Sequence, residues 1–110
     1  MVVCDRYLAS SVAYGEAQGL DPAWLADLQR SLPPPSLTVL LDIPPEASLV
    51  RKQADRDKFE RDLALLARVR QSYVRQSEQT PGWVRLDGHQ DKAAVSAAVI
   101  TAVRSRLGLL

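Results

Sequence analysis

The run Leu37-Thr38-Val39-Leu40-Leu41-Asp42-Ile43 constrains the fold of this chain more than any other feature. It is short, β-prone and nearly all apolar, and it lacks the alternation of a strand that faces water on one side. Such a run suits a parallel strand covered on both faces. Pro33-Pro34-Pro35-Ser36 breaks any helical pattern ahead of it, and Pro44-Pro45-Glu46 turns the chain into a helix after it. Around this run, helical and strand patterns alternate. The class is therefore α/β with a parallel sheet flanked by helices, its crossovers right-handed.

Read in order, Met1–Cys4 is expected to be the end of a buried strand, with Cys4 a small buried residue. A helix is expected over Leu8–Gln18, stopped by Gly19. Asp21-Pro22 marks a helix start, an N-cap acid followed by proline, and Trp24, Leu25, Leu28 and Leu32 form its apolar side. That side is either ordinary core or an exposed dimer face. A long helix begins near Asp57, where Asp57 and Glu60 have capping-box spacing. Phe59, Leu63, Leu66, Val69 and Tyr73 share one of its faces. Thr80-Pro81-Gly82 ends the segment, Trp83–Asp87 reads as a strand, and Asp91 caps a last helix whose stripe is Val95, Val99, Ala102, Val103 and Leu107. The 110 residues make one domain in three stretches, 1–36, 37–80 and 81–110.

A net charge of +1 gives no general case for nucleic acid or an acidic membrane surface as partner. One cysteine excludes an internal disulfide and suits a cytoplasmic protein. No apolar stretch is long enough to span a bilayer, there is no signal-peptide pattern, and no Cys/His cluster of zinc type is present. No metal ligand set is expected. Between Arg51 and Arg75, eight Lys and Arg stand against four Asp and Glu, so basic residues concentrate there.

The chemistry-bearing segment is Val2-Val3-Cys4-Asp5-Arg6-Tyr7 with Ser10, Ser11 and Tyr14. An Arg at the carboxyl end of a strand can grip a phosphate through two parallel hydrogen bonds. A neighbouring Asp can orient it or help hold a hydrated magnesium ion. Asp5 and Arg6 read without their flanks are equally an ion pair at a strand end. Ser10 and Ser11 fit a helix cap as well as a ligand contact. His89, beside Gln90 in a polar turn, is an exposed loop residue by default. Nothing in the sequence reads G-x-x-x-x-G-K-[ST], the loop that cradles triphosphates.

The ordered set of motifs resembles the thymidylate kinases. Asp5-Arg6-Tyr7, Ser10-Ser11 and Ala13-Tyr14 resemble the family's DRY-x-x-S-S-x-A-Y segment. Leu40–Ala47 with Arg51 after it looks like L-L-D-x-P-P-E-x-A and a following Arg. Asp57–Glu60 resembles the acidic end of the lid. Arg68-Val69-Arg70-Gln71-Ser72-Tyr73 is similar to R-V-R-x-x-Y, and Leu86-Asp87-Gly88 falls at the adenine-side turn. The match runs from Val2 to Leu107. It implies a partial P-loop nucleoside monophosphate kinase fold and transfer of a phosphoryl group from ATP to dTMP, with Mg2+.

By that resemblance, Asp5, Arg6, Arg51 and Arg56 are the catalytic candidates. Arg6, Ser10, Ser11 and Tyr14 would meet dTMP, with Arg6 on its phosphate, the serines near thymine and Tyr14 against the deoxyribose. Arg51, Gly88, His89 and Gln90 would meet ATP, the last three along the adenine. The expected partners are dTMP, ATP, and either a second copy or a missing N-terminal half; neither nucleic acid nor membrane is expected. The sequence departs from the family at Gly15-Glu16, where many members carry Gln after the tyrosine, and in having no counterpart of the family's first half. A truncated product, a partial sequence and half of a split protein all accord with that. A non-catalytic nucleotide-binding or dimerisation fragment is the alternative function, and a nucleoside-phosphorylating relative a third.

Overall fold

The computed structural model describes residues 1–48 and 56–108. Its elements are α1 (Leu8–Ala17), α2 (Pro22–Leu28), β1 (Thr38–Asp42), α3 (Pro45–Ser48), α4 (Arg56–Gln79), β2 (Trp83–Asp87) and α5 (Lys92–Leu107). β1 and β2 pair in parallel, Thr38 opposite Trp83 and Asp42 opposite Asp87. The 24-residue α4 lies in the crossover between them and packs on both.

Local chemistry fixes the ends. Asp21 accepts a hydrogen bond from the Ala23 amide, with Pro22 at the first helical position. Asp91 accepts one from Ala94 at 2.7 Å. Gly108 closes α5 in the left-handed conformation, φ +66°, with its N–H on the Arg104 carbonyl, a position that glycine fills without a Cβ penalty. α1 is built from small residues where it meets α4. Ala13 and Ala17 pack on Val69, with Tyr14, Leu65 and Tyr73 around them, and this is the buried core. Of the expected face of α4, Leu63, Leu66, Val69 and Tyr73 are all at least half-buried, and Phe59 lies outside the described side chains; in α5, Ala102 is buried and its stripe half-buried.

Two expectations are corrected. Met1–Cys4 is not a strand: it has no regular structure, Val2 and Val3 stand in solvent, and Cys4 is exposed. A strand exists only through a hydrogen-bonded neighbour, and among the described residues the sheet is β1 and β2 alone. The apolar side of α2 also divides. Leu25 is buried, but Trp24 and Leu28 are 52% and 61% exposed, because α2 has only α1 to pack on among the described elements. No described helix is long and apolar enough to cross a membrane.

Candidate functional site

Arg6 is the one described non-glycine residue with positive φ, +65°. That conformation costs a side-chain-bearing residue about 1–2 kcal/mol. It carries the guanidinium over the Tyr14 ring, 4.9 Å from the centroid. Nη2 also donates to the Tyr14 hydroxyl at 3.1 Å. The two side chains form one wall of a cleft of about 470 Å³. Tyr7, Leu8, Ser10 and Ser11 continue the wall from the start of α1, and Gln29, the C-cap of α2, and Leu32, in the turn beyond it, close the other side.

The expected residues of this segment do come together. Arg6, Ser10, Ser11 and Tyr14 line the same cleft, and Asp5 lies beside it in the chain, exposed. Asp5 makes no ion pair with Arg6 or any other described residue, so the strand-end ion-pair alternative falls. So does the capping alternative for the serines. Tyr7 is the N-cap of α1 and offers no side-chain bond. Ser10 and Ser11 lie inside the helix, Ser10 accepting from the Tyr73 hydroxyl at 2.9 Å and Ser11 exposed. Tyr7 itself donates its hydroxyl to the Pro33 carbonyl at 3.1 Å, tying the site to the proline segment.

A second cluster closes the carboxyl ends of the strands. The Asp42 carboxylate, 11% exposed, accepts two bonds from Arg70, at 2.8 and 3.1 Å. It takes two more from Arg85, at 3.0 and 2.6 Å. The register explains the second pair: Asp42 faces Asp87, so Arg85, two residues back, shares its face. Arg70 first, joined by Arg85, holds the Asp42 carboxyl below its usual range against the upward push of burial, and Asp42 raises Arg70 in return. Arg70 is thus spent on the frame. Glu16 is held low first by Arg75, with help from Ser72, whose hydroxyl donates to it at 2.7 Å; Arg75 forms a two-bond pair with it.

The adenine-side candidates form a tight turn after β2. Gly88 donates its N–H to the Asp42 carbonyl at 3.0 Å. A Cβ on it would lie 2.8 Å from Ile43 Cγ1. The His89 N–H is taken by the Asp87 carboxylate and the Gln90 amide by the Asp87 carbonyl. Arg51 lies outside the described residues, and Arg56 opens α4. Among the described residues no three His, Cys, Asp or Glu gather as a metal site. Mg2+ in phosphoryl-transfer sites is held by one or two carboxylates plus substrate phosphates; the exposed Asp5 carboxylate, without a partner among the described residues, is of the type that would hold it.

Sequence reasoning missed Gln29, Leu32 and the Asp42–Arg70–Arg85 and Glu16–Arg75 clusters. Spacing carried a signal for the first: Gln29 follows Leu25 by one helical turn, and Leu25 is the α2 residue that docks on α1. Gly15 is where it docks. A Cβ there would lie 2.6 Å from Leu25 Cδ1, so the absence of a side chain at this position has a packing cause.

The family model described as thymidylate kinase matches residues 1–99. The chain belongs to the thymidylate kinase family. It is 32% identical over 107 residues to the probable thymidylate kinase 1 of Saccharolobus solfataricus, covering 97% of this chain and 56% of that protein. Against the probable thymidylate kinase of Thermococcus kodakarensis it is 33% identical, covering 98% of this chain and 54% of the relative. The thymidylate kinase of Geotalea uraniireducens is 37% identical over 97% of this chain and 57% of its own length. The chain spans about half the length of the curated relatives it matches.

Proposed function

We propose that this chain carries the acceptor-nucleotide portion of a cytoplasmic thymidylate kinase, which transfers the γ-phosphoryl group of ATP to dTMP and yields dTDP. The observation that carries the reading is Arg6. Its guanidinium sits in an open cleft at a strained backbone position, bonded to the Tyr14 hydroxyl and to no carboxylate among the described residues. A cation so placed keeps its capacity for an anion.

Arg6 grips the acceptor phosphate and lowers its repulsion with the donor. The uncapped first turn of α1 begins beside it and adds a favourable field for negative charge. Tyr14 lies against the deoxyribose, and the free Ser11 hydroxyl is available to the base. Asp5 orients water around Mg2+. When bound, Mg2+ neutralises charge on the phosphate oxygens. Gly88, His89 and Gln90 border the adenine, and Arg51 and Arg56 belong to a lid that closes over the phosphates. A second copy docks through Trp24 and Leu28 on α2, large apolar side chains left in solvent.

A second reading is a nucleotide-binding or dimerisation fragment without turnover. A coupled assay with ATP, Mg2+ and dTMP separates the two. Turnover that falls on the order of 10³-fold in Arg6→Ala supports the kinase. dTMP binding with no turnover supports the fragment. A protein that neither binds nor turns over dTMP overturns both, and preference for thymidine over dTMP points to a nucleoside kinase.

A further inference from the structure

Two opposite charges stand side by side in this chain and do not meet. Asp5 and Arg6 are consecutive, so their Cα atoms are about 3.8 Å apart, well inside the roughly 8–10 Å over which exposed charges stay coupled in ordinary salt. Asp5 is nevertheless exposed and has no partner among the described residues. Arg6, at φ +65°, lies over the Tyr14 ring instead, 4.9 Å from its centroid.

A strained backbone persists only where its surroundings hold it. The side-chain contacts that Arg6 makes among the described residues are both with Tyr14, the ring and the hydroxyl. Tyr14 is a firm anchor, half-buried on α1 and packed against the Ala13, Ala17 and Val69 core. A guanidinium has five N–H donors in one plane. The Tyr14 hydroxyl takes one of them, on Nη2 at 3.1 Å, and leaves the others to a ligand. A carboxylate would take two in parallel and cancel the charge.

We propose that Tyr14 is a positioning residue that keeps Arg6 from closing on Asp5, and so keeps it open to the acceptor phosphate. The inference rests on the phosphate reading of Arg6 above and gives the Tyr14 hydroxyl a task apart from contact with the sugar. Without that hydroxyl, Arg6 relaxes from positive φ and its guanidinium pairs with the neighbouring acid. An incoming phosphate then has to displace a carboxylate.

A double-mutant cycle tests this by calorimetric titration of the wild type, Tyr14→Phe, Asp5→Asn and the double variant. The ligands are dTMP and 2-deoxyribose 5-phosphate, which lacks the base. Tyr14→Phe is expected to bind about fivefold more weakly than the wild type, the worth of an exposed ion pair, and the double variant to match Asp5→Asn within about twofold. That rescue is the signature. A Tyr14 that only packs, or that touches the ligand itself, loses the same factor in both backgrounds, which overturns the proposal while leaving the dTMP reading intact. Unchanged affinity in Tyr14→Phe overturns it too. If Tyr14→Phe does not fold, proton resonances of the wild type decide: Arg6 guanidinium protons shifted upfield by the Tyr14 ring support the clamp, and protons at the position of an exposed arginine overturn it. A wild type that binds neither ligand overturns the underlying reading instead.

Discussion

Between α1 and α4 the charged groups are matched: Glu16 takes Arg75 and Ser72, and Arg68 donates to the Ala17 carbonyl at 3.0 Å; on the same helix Arg70 closes on Asp42 of β1. Just ahead of α1 they are not. Asp5 has no partner among the described residues, and Arg6 meets only a phenol, at a backbone angle that disfavours it. The two regions touch through the Tyr73–Ser10 hydrogen bond. The difference separates charge that holds the fold from charge that the fold holds ready. A matched pair lowers the energy of the protein alone, whereas an unmatched cation in a cleft lowers it only when an anion arrives.

Four substitutions probe that division, the largest effect first. Asp42→Ala removes four hydrogen bonds from two guanidiniums that stay partly in water, Arg70 39% and Arg85 45% exposed, and is expected to cost about 2 kcal/mol, read as a drop in the urea midpoint; a loss below about 0.5 kcal/mol would mean that the cluster is not structural. Glu16→Gln should cost about 1–2 kcal/mol, because its partner Arg75 is partly exposed. It should also change the pH dependence. Both carboxyls are held low in the folded chain, so their stabilisation is complete above the unfolded values near 4 and disappears as pH falls through the lowered folded ones. The wild type therefore weakens below about pH 4, and Glu16→Gln should show a shallower fall.

Arg6→Gly should move the other way. Relief of positive φ is expected to raise stability by about 1 kcal/mol, even as the phosphate contact is lost. A destabilised Arg6→Gly would place Arg6 with the frame and erase the contrast. Tyr73→Phe keeps the ring against the core and removes one hydroxyl bond, so a loss of about 0.5–1 kcal/mol is expected in thermal unfolding, with deoxyribose phosphate affinity unaltered.

Much of this arrangement was legible in the chain, for local reasons. Asp21-Pro22, Asp91 and Gly108 carry their end-forming chemistry in the side chain or its absence, and α5 and the start of α2 lie where the pattern puts them, while α2 ends at Leu28, short of the Leu32 that the pattern gave to its apolar side. The sheet register was not legible. That Arg85 shares a face with Asp42 follows from pairing Asp42 with Asp87, a fact of two strands about forty residues apart in the chain. Met1–Cys4 misled because strand composition says nothing of whether a neighbour exists to pair with. In the site, Arg6, Ser10, Ser11 and Tyr14 were legible because they lie within one short segment. Gln29 was not, since its presence depends on how Leu25 meets Gly15 in three dimensions.

The central claim is that the unmatched segment binds the nucleotide and the matched interface frames it. Amide resonances followed residue by residue during titration with dTMP test this most directly. The account predicts saturable shifts concentrated at Arg6–Tyr14 and at Gln29, with Arg68, Arg75 and Gln76 little moved and the response lost in Arg6→Ala. Shifts centred on α4, or a saturable response that survives Arg6→Ala, would contradict it.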